Sequence, residues 1–163
     1  MRLRALRADD VDWVVDVHAR HYGAAHRFDA SFAPVVRDAL RAFLRDGRPG
    51  VDLGAIATVR GAPVGSIVCT CAGPSTARLR LVYLEPALRG RGTGRAMIRF
   101  CLAHAARVGF DAVEVATYTE HAEACAAYLA LGFVRTDERP ATAFGRELTE
   151  VRFRRTVRPA DEG

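Results

Sequence analysis

Leu84-Glu85-Pro86-Ala87-Leu88-Arg89-Gly90-Arg91-Gly92-Thr93-Gly94-Arg95-Ala96 decides how this chain folds. Ahead of it an apolar run, Leu79-Arg80-Leu81-Val82-Tyr83-Leu84, predicts a strand that stops at Pro86. Behind it Arg95-Ala96-Met97-Ile98 opens a helical pattern. A strand, a glycine loop and a helix start in that order leave free backbone N–H groups at the positive end of a helix, where an anion is held. Glycine at 90, 92 and 94 lets the backbone come close to that anion. Arg89, Arg91 and Arg95 add guanidinium groups suited to phosphate oxygens.

Spacing narrows the ligand. A phosphate loop of the Gly-Lys-Ser/Thr type is excluded because the chain has no lysine. The dinucleotide pattern G-x-G-x-x-G fails from Gly90, where the last position is Arg95, and from Gly92, where it is Met97. Arg89-x-x-Gly92-x-Gly94 does fit, with Leu84 and Pro86 upstream, and resembles motif A of the GNAT acetyltransferase superfamily. That resemblance implies a loop wrapped around the pyrophosphate of acetyl-coenzyme A. A tight β–α turn without a ligand is the competing reading. Three interleaved arginines, which repel one another without an anion, weigh against it.

A second block strengthens the resemblance. His121-x-x-Ala124-x-x-x-Tyr128-x-x-x-Gly132-Phe133 follows the alternating strand Val113-Glu114-Val115-Ala116-Thr117 and looks like motif B of the same superfamily. Positions 121, 124, 128 and 131 share one helix face, so His121 and Tyr128 look the same way as the small Ala124. A thin ligand arm could lie there. Gly132 then closes the helix, and Phe133 begins the next strand. For Tyr128 alone, a core tyrosine would be the default reading; the two motifs together favour a functional one.

One position departs from the pattern. Where motif B carries asparagine this chain has His121, and it contains no asparagine at all. Histidine can contact a coenzyme amide or a water, relay a proton, or simply substitute. Further likeness lies in His18-x-x-x-Tyr22, Phe28-Asp29-x-x-Phe32 and Glu138-x-Pro140-x-x-x-Phe144-Gly145, which resemble acetyltransferase modules fused to MarR-type regulators. Those modules carry histidines before the Phe-Gly pair, where Ala141 and Thr142 stand here.

The resemblance implies a division of labour. Val82, Tyr83, Leu84, Arg89, Gly90, Arg91, Gly92, Thr93, Gly94, Arg95, His121, Ala124 and Tyr128 match coenzyme-binding positions. The backbone N–H of Leu84 would polarise the thioester carbonyl, and Tyr128 would serve the leaving thiolate. The base is not given; His18, Glu114, Tyr118 and His121 are candidates, and Glu85 reads better as a solvated turn carboxylate. His18, Tyr22, Phe28, Asp29 and Tyr118 are candidate acceptor contacts, with Phe32 read as core. Aromatic and acidic character together suggest a cationic or amino-acid-like amine.

Composition fits a compact enzyme. At 163 residues the chain suits one domain, residues 1–157, with 158–163 as a fraying polar tail. The net charge of +5 comes from arginines scattered among acids, which argues against a nucleic-acid partner. No run approaches membrane-spanning length, and a cytoplasmic location is expected. Cys69, Cys71, Cys101 and Cys125 form no C-x-x-C and stand near no histidine cluster; buried reduced thiols are expected, with no metal.

The chain order predicts strand 2–7, a helix from Asp9 or Asp10 to about His21, and a helix over 30–45. Strands 53–60 and 63–72 meet at a hairpin signal, Arg60-Gly61-Ala62-Pro63. Strand 77–84, helix 94–108, strand 112–118, helix 122–131 and strands near 133–138 and 148–157 follow. The expected fold is α/β: a mixed, mostly antiparallel sheet of six to seven strands with helices on both faces. Its two central strands should be parallel and splayed. The expected function is transfer of an acetyl group from acetyl-CoA to a small-molecule primary amine, with a homodimer as one assembly. The alternatives are a coenzyme-binding regulatory module with weak or lost catalysis, and a protein or peptide N-acetyltransferase.

Overall fold

The structure, a computed structural model, describes residues 1–157; the expected tail at 158–163 lies outside the described residues. Strands β1 (Arg2–Ala5), β2 (Leu53–Val59), β3 (Ala62–Cys71), β4 (Thr76–Leu84), β5 (Ala112–Tyr118), β6 (Val134–Ala143) and β7 (Arg146–Thr156) form one sheet in the order β1-β2-β3-β4-β5-β7-β6. Four helices accompany them: α1 (Val11–His26), α2 (Phe32–Asp46), α3 (Thr93–Val108) and α4 (Ala122–Ala130). Only β4 and β5 run parallel; the other pairings are antiparallel.

Strand alternation places the helices on opposite faces. Ile56 of β2 and Val68 of β3 pack with Val14 and Val15 of α1 and with Val36 and Leu40 of α2. Their neighbours Ala55, Ala57, Ile67 and Cys69 point the other way, into a cluster with Met97, Cys101 and Ala105 of α3 and Cys125 and Leu131 beside α4. Each face thus buries its own core. Cys71, expected to be buried with Cys69, is exposed. It is the last residue of β3, where its N–H donates to Asp52 Oδ1 at 2.7 Å.

Two boundaries differ from the sequence expectation. Helix α1 runs one and a half turns past His21, straight through Gly23, and stops only at Arg27 in the left-handed region (φ 54°). A glycine inside a helix costs about 1 kcal/mol. Here the added turns set Tyr22 and His26 against Phe28 and His121, and that packing offsets it. The last two strands form one long hairpin through Phe144 (φ 55°) and Gly145 (φ 76°), instead of separate segments at 133–138 and 148–157. Pro140 reads as a break, but β6 is the sheet's edge, where a missing N–H goes unnoticed.

The fold's main consequence lies between β4 and β5. Their ladder covers Thr76↔Ala112 to Leu79↔Val115 and ends there. Beyond it β5 stays with β7 through Tyr118↔Glu150, while β4 stays with β3 through Gly65↔Leu84. The strands part because β4 bulges: Leu81 sits at φ 53°, and the β3 register shifts between Ser66 and Val68. The fully buried Ser66 donates its hydroxyl to Leu81 O at 2.8 Å and holds that bulge. Ser66→Ala leaves this carbonyl without its partner and is expected to cost about 1–3 kcal/mol in urea denaturation. A loss below about 0.5 kcal/mol would mean the bulge needs no such support.

Candidate active site

The parted strands open into one cavity of about 990 Å³ with two arms. The first is walled by Gly90, Gly92, Gly94, Arg95, Ala124 and Tyr128, and the second by His18, Tyr22, His26, Phe28, Tyr118 and His121. They meet at Val82, Tyr83 and Leu84.

In the first arm α3 begins at Thr93 with Gly92 as its N-cap in the left-handed region (φ 79°), as Gly90 is before it (φ 75°). The N–H groups of the first turn have no intrahelical acceptor and carry the helix dipole's positive end. Gly94 is the informative glycine. It sits in ordinary helical backbone, and a Cβ there would approach no protein atom closer than Leu84 Cδ2 at 3.8 Å. The protein itself therefore tolerates a side chain at 94; the open space in front of it is what glycine preserves. Arg95 joins the wall, while Arg91 of the loop and Thr93, the first residue of α3, lie outside it.

Arg89 lines the cavity too, and its guanidinium is anchored to the strand end. Its Nε donates to Leu84 O at 2.8 Å, its guanidinium lies 5.7 Å from the Tyr83 ring centre, and Nη1 is 4.0 Å from Glu123. The arginine thus pins the end of β4. Glu85 N donates to Val64 O at 2.8 Å, so by antiparallel alternation Gly65 and Leu84 are a non-hydrogen-bonded pair. The Leu84 N–H consequently points away from β3 and into the gap that β5 has left.

Tyr128 is buried, and its ring packs on Phe133 at 5.5 Å and Phe153 at 5.8 Å. Burial raises its pKa, so the phenol stays protonated. His121 caps α4 and Gly132 (φ 84°) follows its end, which brings His121, Ala124 and Tyr128 onto the cavity wall together.

The second arm is built on α1. Tyr22 stacks on Phe28 at 5.5 Å and meets Phe32 at 5.1 Å, and Phe144 of the β6–β7 turn backs both phenylalanines at 4.9 Å. Phe32, read as core, lines the cavity too. Asp29 does not: its Oδ1 accepts the Ser31 N–H at 3.0 Å and the Ser31 hydroxyl, which hold its carboxyl below the usual range. The expected acidic contact is therefore a turn-forming residue at the start of α2. Glu114 is also removed from the site, being paired with Arg78 at 2.6 Å across the closed part of β4 and β5.

Four histidines converge on this arm. His18 donates Nδ1–H to Val14 O at 2.8 Å, because a carbonyl can only accept, so its Nε2 presents a lone pair that is buried and unpartnered. His121 Nδ1 lies 3.3 Å from Thr117 Oγ1, and its Nε2 is likewise buried without a partner. Burial pushes both imidazoles down to about 4, helped at His121 by His26, whose ring centre is 4.0 Å away. His21 and His26 are lowered too, first by burial and then by neighbouring positive charge. Neither was legible in the sequence as a site residue; the signal was their spacing with His18 and Tyr22, hidden by ending the helix at His21.

The buried His18 carries a stability consequence. Its folded pKa of about 4 lies below the unfolded value of 6.5, so the unfolded chain binds more protons between those values. Its contribution is full above pH 6.5 and is lost as pH falls towards 4, by about 3 kcal/mol in the limit. Urea midpoints taken from pH 7.5 to 5 are expected to fall, and to fall less steeply in His18→Leu. Parallel slopes would contradict a neutral buried His18.

Comparison with known proteins agrees with this geometry. The acetyltransferase (GNAT) family model matches residues 15–133, so the chain belongs to that family; it is an acetyltransferase, with acetyl-CoA as its cosubstrate. No protein of curated function matches it in sequence. Among solved structures it shares its fold with a putative acetyltransferase, yncA, from Salmonella typhimurium in complex with acetyl-CoA (TM-score 0.75, 17% identity, 100% of this chain and 97% of that one covered). It also resembles the spermidine N-acetyltransferase of Vibrio cholerae in complex with CoA and spermine (0.74, 15%, 96% and 95%). A third likeness is to the ribosomal-protein-S18-alanine N-acetyltransferase of Escherichia coli (0.71, 19%, 99% and 97%). Among the described residues no group of three or more His, Cys, Asp or Glu is placed to hold a metal, and no helix is long and apolar enough to cross a membrane.

Proposed function

We propose that the protein acetylates the primary amine of a small molecule by direct attack on acetyl-CoA, with Tyr128 as general acid. The observation that carries this reading is the parting of β4 and β5 after Leu79↔Val115, which leaves the Leu84 N–H facing the junction of the two cavity arms. A pantetheine arm running from the α3 loop past Ala124 would bring its thioester to that junction. The acceptor would enter from the α1 side.

The acceptor ammonium loses one proton to solvent where the arm opens beside the partly exposed His21 and His26, since His121, held near a pKa of about 4, is too weak a base to keep it. The neutral amine forms a C–N bond to the thioester carbon, and the Leu84 N–H stabilises the oxygen that becomes negative. The C–S bond then breaks, the sulfur leaves with the bonding pair and takes a proton from Tyr128. The attacking nitrogen, acidic once its C–N bond has formed, gives its second proton to the Tyr128 phenolate, which restores the phenol. Products are the N-acetyl amine, the free thiol and one proton.

Three further assignments belong to this reading. Residues 1–157 act as one catalytic domain, and the protein works in the cytoplasm, as buried free thiols at Cys69, Cys101 and Cys125 support. The likeness to modules fused to MarR-type regulators rests on the His18-Tyr22 and Phe28-Phe32 segments, which the second arm uses. The test is thiol release from acetyl-CoA with a panel of primary amines, with the acetylated product identified by mass. Amine-dependent release is expected; coenzyme binding without turnover on any amine would favour a regulatory module.

A further inference from the structure

The acceptor arm has a chemical character of its own. Tyr22, Phe28, Phe32 and Tyr118 supply its rings, with Tyr118 edge-on to Phe28 at 6.1 Å. Apart from His18, His21, His26 and His121, the charged groups near it hold other partners, and Glu120 keeps its negative charge on the wall. Glu120 lines the wall, but its carboxylate accepts the Thr149 N–H at 3.1 and 3.3 Å and the Thr119 hydroxyl at 3.3 Å. Glu123 is 89% exposed on the rim and faces Arg89. Asp29 is turned away towards Ser31. Arg146 donates to His26 O at 2.7 Å, and Arg89 is folded onto Tyr83.

Such an arm suits one amine and disfavours two. The reacting ammonium can shed its proton to solvent at the mouth of the arm. A second, distant ammonium would have to lose its water beside neutral imidazoles, facing on that wall Glu120, whose oxygens already hold the Thr149 N–H and the Thr119 hydroxyl. A ring or branched apolar body gains instead, by leaving water and packing on Tyr22 and Phe28. We infer that the acceptor is a monoamine with an aromatic or bulky apolar body, of the phenylalkylamine kind, and not a polyamine. The inference rests on the transferase reading above and names the substrate class of that same site.

The test compares 2-phenylethylamine, ethylamine and spermidine in the thiol-release assay, each with wild-type protein. The kcat/KM for 2-phenylethylamine is expected to exceed that for either of the others by about tenfold or more. Phe28→Leu should narrow its advantage over ethylamine through KM, with folding checked by circular dichroism. Ala25→Glu, at an exposed position on the cavity wall, places a carboxylate in the arm and should raise kcat/KM for spermidine whether or not the Phe28 variant folds. A preference for spermidine, or equal rates for 2-phenylethylamine and ethylamine, would overturn the inference. Should none of the three turn over, the transferase reading fails by itself. Calorimetry on the CoA-loaded protein then decides the acceptor class: 2-phenylethylamine binding about tenfold tighter than ethylamine or spermidine supports it, and equal or absent binding overturns it.

Discussion

Tyr128→Phe is expected to lower kcat by about 10²-fold or more while leaving the acetyl-CoA dissociation constant unchanged. The ring is held between Phe133 and Phe153, and phenylalanine keeps that packing. What is removed is one hydroxyl on the cavity wall, at the end of the helix face that also carries His121 and Ala124. Burial keeps the phenol protonated, so it can donate throughout the neutral range. The sulfur of a bound thioester is a poor acceptor, and the departing thiolate is a strong one. The bond therefore forms mainly in the transition state, and its loss appears in the chemical step. A kcat within about threefold of wild type, measured where chemistry limits turnover, would return Tyr128 to a packing role.

Gly94→Val is expected to weaken acetyl-CoA binding by about 10²-fold or more with little change in thermal stability. Gly90 and Gly92 are poor tests of the anion site, because their left-handed backbone would strain any side chain whether or not a ligand binds. Gly94 has ordinary helical geometry and no protein atom within 3.8 Å of a Cβ, so valine meets only what lies in front of the loop. If that is the coenzyme pyrophosphate, the branched side chain and the phosphate compete for one place and the first-turn N–H groups lose their anion. Calorimetry reads the affinity and a melting curve reads the fold. Unchanged affinity in a folded variant would remove the pyrophosphate from this loop.

Much of this architecture is legible in the sequence because it is local. The glycine loop between an apolar run and a helix start specifies β4, α3 and the anion site within twenty residues of chain. The His121 to Phe133 spacing specifies α4 in the same way. The parallel pairing of β4 with β5 follows from the crossover between them, and splaying at their C-terminal ends from the need to admit a thin arm; that the ladder stops as early as Leu79 does not. What escaped is non-local. Arg89 reads as a phosphate ligand, and its second partner, Leu84 O at the end of β4, is set by the fold. Asp29 reads as a pocket acid until Ser31 takes its oxygens. Gly23 and Pro140 carry the usual signals of termination, and only tertiary context, a packed inner face for one and a sheet edge for the other, explains why neither stops its element. The histidine cluster was lost with the last turns of α1, since His26 meets His121 only through the fold.

The most direct measurement is a crystal structure of the protein with coenzyme A and the acetylated product. The pantetheine is expected in the gap between Leu84 and Tyr118, with its sulfur within hydrogen-bond reach of the Tyr128 hydroxyl and the product carbonyl oxygen on the Leu84 N–H. A pantetheine lying outside that gap, or a sulfur remote from Tyr128, would contradict the account.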